Sequence, residues 1–501
     1  MSQGSSTRRA APAVALILFS GLPSIAGAHG FAQRYDLPVP LNLYLAGAAA
    51  AVILSFVVIA FFLRGERTMA QFPALNLLST WPGKVLSNPV FLELLKIASV
   101  AFLVLVILAG YFGDQNPFKN IAPTAIWVIW WVGFAYISGL LGNLWLVVNP
   151  WSASFRWIEN LWDFFSHDGK FGLNIAWPQW LGVWPAVCLF AWFVWAELIW
   201  PESDTPKSLA EAALTYSLIT WSGMFVFGRK AWLRGGEAFT VVFGFLARFS
   251  ITGVDPDVKD RNLMIRPPAV GLLSENAISI SSMVFVLIML SSVTFDGLLA
   301  TSLWSDVARW MIYSETMRPL LIGLQDITGN AVAAAGTIAL AVFLVLFQLL
   351  YLAFSALMFA TTPASARQGT TVVQIARLFV LSLVPIALAY HLAHYLSYLA
   401  IVGQYMIPLS SDPFGFGWDL FGTSLYFVDI SVVNAKLIWY TSVVAIVIGH
   451  IVAVWLAHVT ALRTFKDNRA ALMSQVPMLV LMVGYTMLSL WILAQPVVET
   501  G

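Results

Sequence analysis

Ten apolar segments of about 20 residues run through this chain of 501 residues, and no other feature of the sequence limits its fold as strongly. A helix needs roughly 20 residues to cross the apolar core of a bilayer, which is about 30 Å thick and offers no partner to an unpaired backbone group. The composition agrees, because 59% of the residues are hydrophobic and only 10% are charged. We therefore predict an all-α fold in a lipid bilayer, a polytopic bundle of transmembrane helices with spans at about 41–63, 91–112, 124–148, 181–200, 209–228, 276–297, 331–360, 373–400, 435–462 and 473–495.

The first 28 residues resemble a cleaved secretory signal peptide. Two arginines precede a short apolar run, and Ala26-Gly27-Ala28 supplies a small-residue cleavage site. A first membrane helix is the other interpretation, but the run is short for a span and contains Pro23. We expect residues 1–28 to be removed, so that residues 29–501 form a single integral membrane domain.

Basic residues predict the orientation of the bundle. Lys and Arg are about three times as frequent on one side of the ten spans as on the other, and they favour the cytoplasmic side. This pattern predicts a bacterial inner-membrane protein whose mature N-terminus and C-terminus both lie in the periplasm. Two long inner loops, at about 150–180 and 229–272, are expected to be amphipathic, because apolar and charged residues alternate along them.

Charge and motifs exclude several classes of protein. The net charge is +1, so the chain lacks the basic field that attracts nucleic acid. Neither long loop contains a nucleotide-binding signature. The lone cysteine, Cys188, excludes an internal disulfide and any multi-cysteine metal site.

Histidines are the first candidates for chemistry within the membrane. Four of the six fall in the eighth and ninth segments, where an ionisable residue is costly and therefore suggests function. His391 and His394 are three residues apart and so share one helix face, and His450 can approach them if the two helices pack. His458 lies eight residues after His450, roughly 12 Å along the axis, so these two cannot bind the same ion.

We predict that His391, His394 and His450 bind a divalent metal ion, zinc or similar, near the outer side. Imidazole is the commonest protein ligand of metals, and three of them with one open position form a catalytic zinc-type site. The alternatives are hydrogen bonds between helices, a proton relay or haem ligation. Three further residues on the outer side could complete or orient the centre: Asp326, Asp429 and His29.

Other acidic residues close to the outer ends of the spans carry weaker expectations. Asp296 lies at the end of the sixth segment, and Asp306 and Glu315 follow it in a long outer connection. A solvated surface accounts for most of these carboxylates.

The region after the cleavage site carries a resemblance to a known family. Residues 28–41 read AHGFAQRYDLPVPL, and residues 43–47 read LYLAG. This stretch is similar to bacterial polytopic membrane proteins called fenitrothion hydrolases. The resemblance implies a membrane-bound enzyme that hydrolyses an apolar organophosphorus triester, and it assigns no residue roles.

Hydrolysis of such a triester is compatible with the predicted metal centre. The reaction needs an activated water and polarisation of the phosphoryl group, and a bound metal supplies both. A competing hypothesis is a membrane permease or metal-handling protein that uses the same histidines. A third is a membrane subunit that associates with a partner subunit through its aromatic surfaces.

Overall fold

Helices dominate this structure because a backbone in lipid can satisfy its polar groups within a helix. The computed structural model describes residues 37–62, 75–166, 171–254, 262–273, 276–367, 369–465 and 467–495. The predicted signal peptide and His29 lie outside the described residues. Each of the ten predicted segments forms a helix, and we label these helices α1 (Leu41–Phe62), α2 (Pro89–Phe112), α3 (Ile121–Leu140), α4 (Trp184–Leu198), α5 (Pro206–Phe227), α6 (Ile280–Leu299), α7 (Ala331–Thr361), α8 (Val384–Ile401), α9 (Ala435–Thr464) and α10 (Asn468–Ala494).

Nine helical segments of the described chain are long and apolar enough to cross a membrane, and the predicted all-α polytopic bundle is confirmed. Among the ten labelled helices, α5 is the one that does not meet this test. Its 22 residues would cover roughly 33 Å, but polar residues such as Glu211 reduce its hydropathy. The predicted location of both chain ends on one side depends on α5 crossing the membrane.

Two helices depart from regular α geometry close to the centre of the bundle. Within α3, Thr124–Gly133 is π-helical, a rare conformation that is frequent at functional sites. Before α8, the 3₁₀ turn Val380–Leu383 connects the short helix Val372–Phe379 to α8, whose first turn contains Pro385. Proline lacks the amide that would continue the preceding helix, which explains this break.

Short helices and turns connect the spans. Pro150–Phe165 is amphipathic, as expected for the first inner loop, because Trp151 and Phe155 are buried whereas Leu161 and Phe165 are exposed. The remaining short helices are Trp81–Leu86, Trp145–Val148, Arg229–Gly235, Ala238–Ala247, Ser302–Tyr313, Arg318–Thr328 and Met406–Ser411. Further 3₁₀ turns are Leu77–Ser79, Gln179–Leu181, Val270–Leu272, Ala364–Ala366, Val402–Tyr405 and Ile430–Val432.

The described strands form one small antiparallel sheet. Strand β3 (Met264–Ile265) lies between β1 (Leu75–Asn76) and β2 (Thr252–Gly253). Met264 is opposite both Asn76 and Gly253. The sheet joins the connection between α1 and α2 to the connection between α5 and α6.

The helices pack in two groups that meet along a seam. In one group α2 packs on α5, and the buried helix Ala238–Ala247 packs on α4. In the other group α1, α7 and α9 pack on α10, and α8 packs on α9. The groups meet where α4 contacts α6 and where α3 contacts α8. Residues from these four helices therefore share the centre of the molecule.

Candidate functional site

His391 and His394 both lie in α8 and face the seam, in agreement with their spacing. His394 Nε2 is 2.9 Å from Asp296 Oδ2 of α6, and these side chains expose only 8% and 9% of their surface. The His391 ring packs edge-on against Trp131 of α3, with ring centroids 5.3 Å apart. His391 Nε2 is buried and has no hydrogen-bond partner among the described residues. An unpartnered buried imidazole nitrogen can accept a proton or a polar atom of a ligand.

The other two intramembrane histidines contact separate neighbours. His450 Nδ1 lies 2.8 Å from the Ile446 carbonyl oxygen one turn earlier in α9. The His450 ring is 6.0 Å from the Tyr485 ring. His458 Nδ1 lies 3.2 Å from Gln475 Oε1. Both histidines are buried and thus belong to the packing of α9 against α10.

The two predicted carboxylate ligands lie on the surface. Asp326 is exposed on the helix Arg318–Thr328. Asp429 is exposed and caps the turn Ile430–Val432, where Ser431 donates to it from its amide at 2.8 Å and its hydroxyl at 2.6 Å. These hydrogen bonds lower the pKa of Asp429 below its ordinary value.

The described residues do not assemble the predicted metal centre. Within the part of the chain that the structure describes, no group of three or more His, Cys, Asp or Glu side chains is arranged to hold a metal ion. The predicted ligands lie in different surroundings. The side chains of His391, His394 and His450 are inside the helix bundle, whereas those of Asp326 and Asp429 are exposed. The residues present therefore do not fit a shared ion, and a divalent metal stays a prediction.

Two carboxylates that sequence reasoning did not place at the site lie beside the histidines. Asp296 was expected on a solvated face, but it is 8% exposed within the bundle. Glu197 of α4 accepts a hydrogen bond from Trp131 Nε1 at 2.7 Å. The Tyr395 hydroxyl lies 2.6 Å from Asp296 Oδ2 and 3.0 Å from Glu197 Oε1. Tyr395 thus bridges the two carboxyl groups across the seam.

A largely apolar cavity lies on the other side of Trp131. Its volume is about 320 Å³, at the lower end of the roughly 300–1,000 Å³ of small-molecule sites. It is lined from α2, α3, α4 and α5, with Trp127, Trp130 and Phe193 among the lining residues. The Phe193 ring packs on Trp131, at a centroid distance of 4.9 Å. Phe193 lines the cavity and Trp131 does not, so the Phe193 and Trp131 rings both lie between the cavity and His391.

A third carboxylate, Glu237, lies close to the cavity. It is completely buried at the start of the helix Ala238–Ala247. The Tyr216 hydroxyl, which belongs to a cavity-lining residue, donates to Glu237 Oε1 at 2.6 Å. The amides of Phe239 and Thr240 donate at 2.9 and 2.7 Å. Glu237 caps this helix and anchors it to α5.

Comparison of the chain with family models, with curated proteins and with solved structures finds no match.

Proposed function

We propose that this protein is a membrane-embedded hydrolase of an apolar organophosphorus triester in the bacterial inner membrane. The observation that carries the proposal is the buried His391 imidazole, whose Nε2 has no partner among the described residues. The Phe193 and Trp131 rings separate this imidazole from an apolar cavity of about 320 Å³. The resemblance of residues 28–41 to fenitrothion hydrolases points to the same substrate class.

The cavity suits the substrate because a neutral triester partitions into lipid. Aromatic and aliphatic side chains line most of it, and such linings bury apolar ligands while a few polar groups orient them. The Ser99 and Tyr216 side chains contribute hydroxyl groups at its boundary. A substrate in this cavity would reach His391 only if the Phe193 and Trp131 rings moved aside.

His391 would act as the general base. Its Nε2 takes one proton from water, the water oxygen bonds to phosphorus, and the bond to the leaving oxygen breaks. The leaving oxygen then receives the proton, so the products are a phosphodiester and an alcohol or phenol. General acid–base catalysis of this kind contributes roughly 10²–10⁴-fold in rate.

The test uses purified full-length protein in lipid nanodiscs and a lipophilic phosphotriester with a coloured phenol as leaving group. We expect His391→Ala to slow phenol release by about 10²–10⁴-fold. His450→Gln is the matched control, since it alters another buried histidine away from the seam. Equal rates in the parent protein and His391→Ala would refute this role.

The same assay separates the base from the predicted metal centre. If His391, His394 and His450 hold a catalytic ion, a chelator and His450→Gln would both abolish phenol release. If His391 acts as a base without that ion, both would leave the rate within a few-fold of the parent. Elemental analysis of the same sample measures bound metal directly.

A proton-coupled carrier of apolar molecules is the second candidate, and one observation favours it. Buried polar side chains continue from His394 toward α10: the Tyr390 hydroxyl is unpartnered among the described residues, and the Thr294 and Tyr485 hydroxyls are in contact. Such a series can pass protons through a membrane protein. Uptake into proteoliposomes driven by a proton gradient, without ester cleavage, would favour this candidate.

A further inference from the structure

The Tyr395 hydroxyl is the centre of a three-residue contact that constrains the number of protons present. It lies 2.6 Å from Asp296 Oδ2 and 3.0 Å from Glu197 Oε1. A phenol has one proton to donate. Its proton can therefore lie along one of these two contacts, and the other contact needs a proton from a carboxyl group.

Without a proton from a carboxyl group, one of these two pairs of oxygen atoms would have no hydrogen between them, and their lone pairs would repel each other. Two carboxylates that share a site avoid mutual repulsion in the same way, by holding one proton between them. The bridging unit of Asp296, Tyr395 and Glu197 thus requires one carboxylic acid and one carboxylate.

The neighbours of each carboxyl group decide which one is ionised. His394 Nε2 is 2.9 Å from Asp296 Oδ2, so an imidazole that can carry a positive charge accompanies Asp296. Trp131 donates to Glu197 with a neutral indole. No Lys, Arg or His of the described residues forms a salt bridge with Glu197. The ionised form is therefore better stabilised at Asp296.

We propose that Glu197 holds an exchangeable proton inside the membrane and donates it to Tyr395, while Tyr395 donates to ionised Asp296. The ligand of this site is a single proton. With His394 protonated, the unit of Asp296, Glu197, Tyr395 and His394 has no net charge, which removes most of the cost of burying it in lipid. This inference stands apart from ester hydrolysis, because it concerns the resting protein.

Infrared spectroscopy of the full-length protein in nanodiscs tests the inference at neutral pH and without any substrate. A protonated carboxylic acid has a carbonyl stretching band that moves on transfer to D₂O. We expect one such band, which ¹³C-labelled glutamate shifts and Glu197→Gln removes. Glu159→Gln is the matched control, and the band should persist there, because Glu159 forms a salt bridge with Arg229 at 2.8 Å.

Each other result overturns the proposal. Absence of the band, its persistence in Glu197→Gln, or its loss in Glu159→Gln would show that Glu197 is ionised or that another group holds the proton. A shift with labelled aspartate would assign the proton to Asp296. If Glu197→Gln does not fold, Glu197→Asp should move the band from the glutamate frequency to that of aspartate. These outcomes do not depend on whether the protein cleaves an ester.

Discussion

Two glutamates of this protein lie in the helix bundle and illustrate how donors decide what a carboxyl group does. Glu237 accepts hydrogen bonds from six donors. Three are side chains of other elements, on Tyr216, Trp145 and Asn149. The other three are the amides of Phe239 and Thr240 and the Thr240 hydroxyl. Glu197 has one indole donor and shares one phenol with Asp296. The donors around Glu237 stabilise its negative charge. The contacts around Glu197 need one more proton than the indole and the phenol supply.

The contrast separates a structural carboxylate from one suited to proton chemistry. Glu237 caps the helix Ala238–Ala247 and ties it to α5 and to the helix Trp145–Val148. The contact of Glu197 with Tyr395 instead crosses the seam between the two groups of helices. We expect substitutions at Glu237 to affect folding and substitutions at Glu197 to affect proton transfer.

The largest effect should follow Glu237→Ala. The variant leaves several buried donors without an acceptor, and each unsatisfied donor costs roughly 1–3 kcal/mol. We expect the free energy of unfolding to fall by about 3–5 kcal/mol. Chemical denaturation in mixed micelles measures the change, and an unfolding free energy equal to that of the parent would contradict a structural role.

A smaller effect should come from filling the cavity beside Glu237. Ala213 lines this cavity from α5, and Ala213→Phe would occupy part of it. We expect the KM for an apolar triester to rise about tenfold, equivalent to about 1.4 kcal/mol of binding, with the charge state of Glu197 unchanged. Steady-state kinetics checks this, and an unaltered KM would place the substrate elsewhere.

Glu197→Gln should lower the free energy of unfolding by about 1–2 kcal/mol, which is less than the loss for Glu237→Ala. A glutamine side chain has the shape of a protonated glutamate, but the glutamate oxygen that meets Tyr395 also accepts from Trp131 Nε1, so the amide can satisfy one of these two contacts. The denaturation assay used for Glu237→Ala gives the comparison. A loss as large as that of Glu237→Ala would indicate an ionised Glu197 and would remove the contrast.

The smallest effect is expected at Asp429, which is exposed. Hydrogen bonds from Ser431 lower its pKa, so its contribution to stability is present at neutral pH and is lost as the pH falls below its ordinary pKa of 3.8, through the lowered value. Asp429→Asn should leave hydrolysis at neutral pH unchanged. A strong loss of activity would restore Asp429 to the predicted metal centre.

The sequence predicted the helical fold well because lipid demands long apolar helices, and each predicted segment became a helix. It also indicated His391 and His394 as candidate site residues, because an ionisable residue within an apolar segment is costly to place there and therefore suggests function. The same rule could have identified Glu197 and Asp296, which fall inside the fourth and sixth predicted segments. The position of Asp296 near the end of its segment instead suggested a solvated carboxylate, and Glu197 was not considered.

The pairing of these residues could not be predicted from one chain. Tyr395 contacts partners 99 and 198 residues away, and helix periodicity carries no information on which spans become neighbours. The convergence of His450 with the α8 pair, which rests on the same kind of reasoning, stays a prediction. α9 does pack on α8, but the His450 ring lies near Tyr485 of α10 instead.

The seam has a mechanical consequence. Glu197 belongs to one group of helices, whereas Tyr395 and Asp296 belong to the other. Sliding one group by about the length of a hydrogen bond would therefore break the contact between Tyr395 and Glu197 and leave Tyr395 on Asp296. Bilayers of different thickness change helix tilt at little energetic cost. The thickness of the surrounding lipid would then regulate proton occupancy long before it endangered the fold.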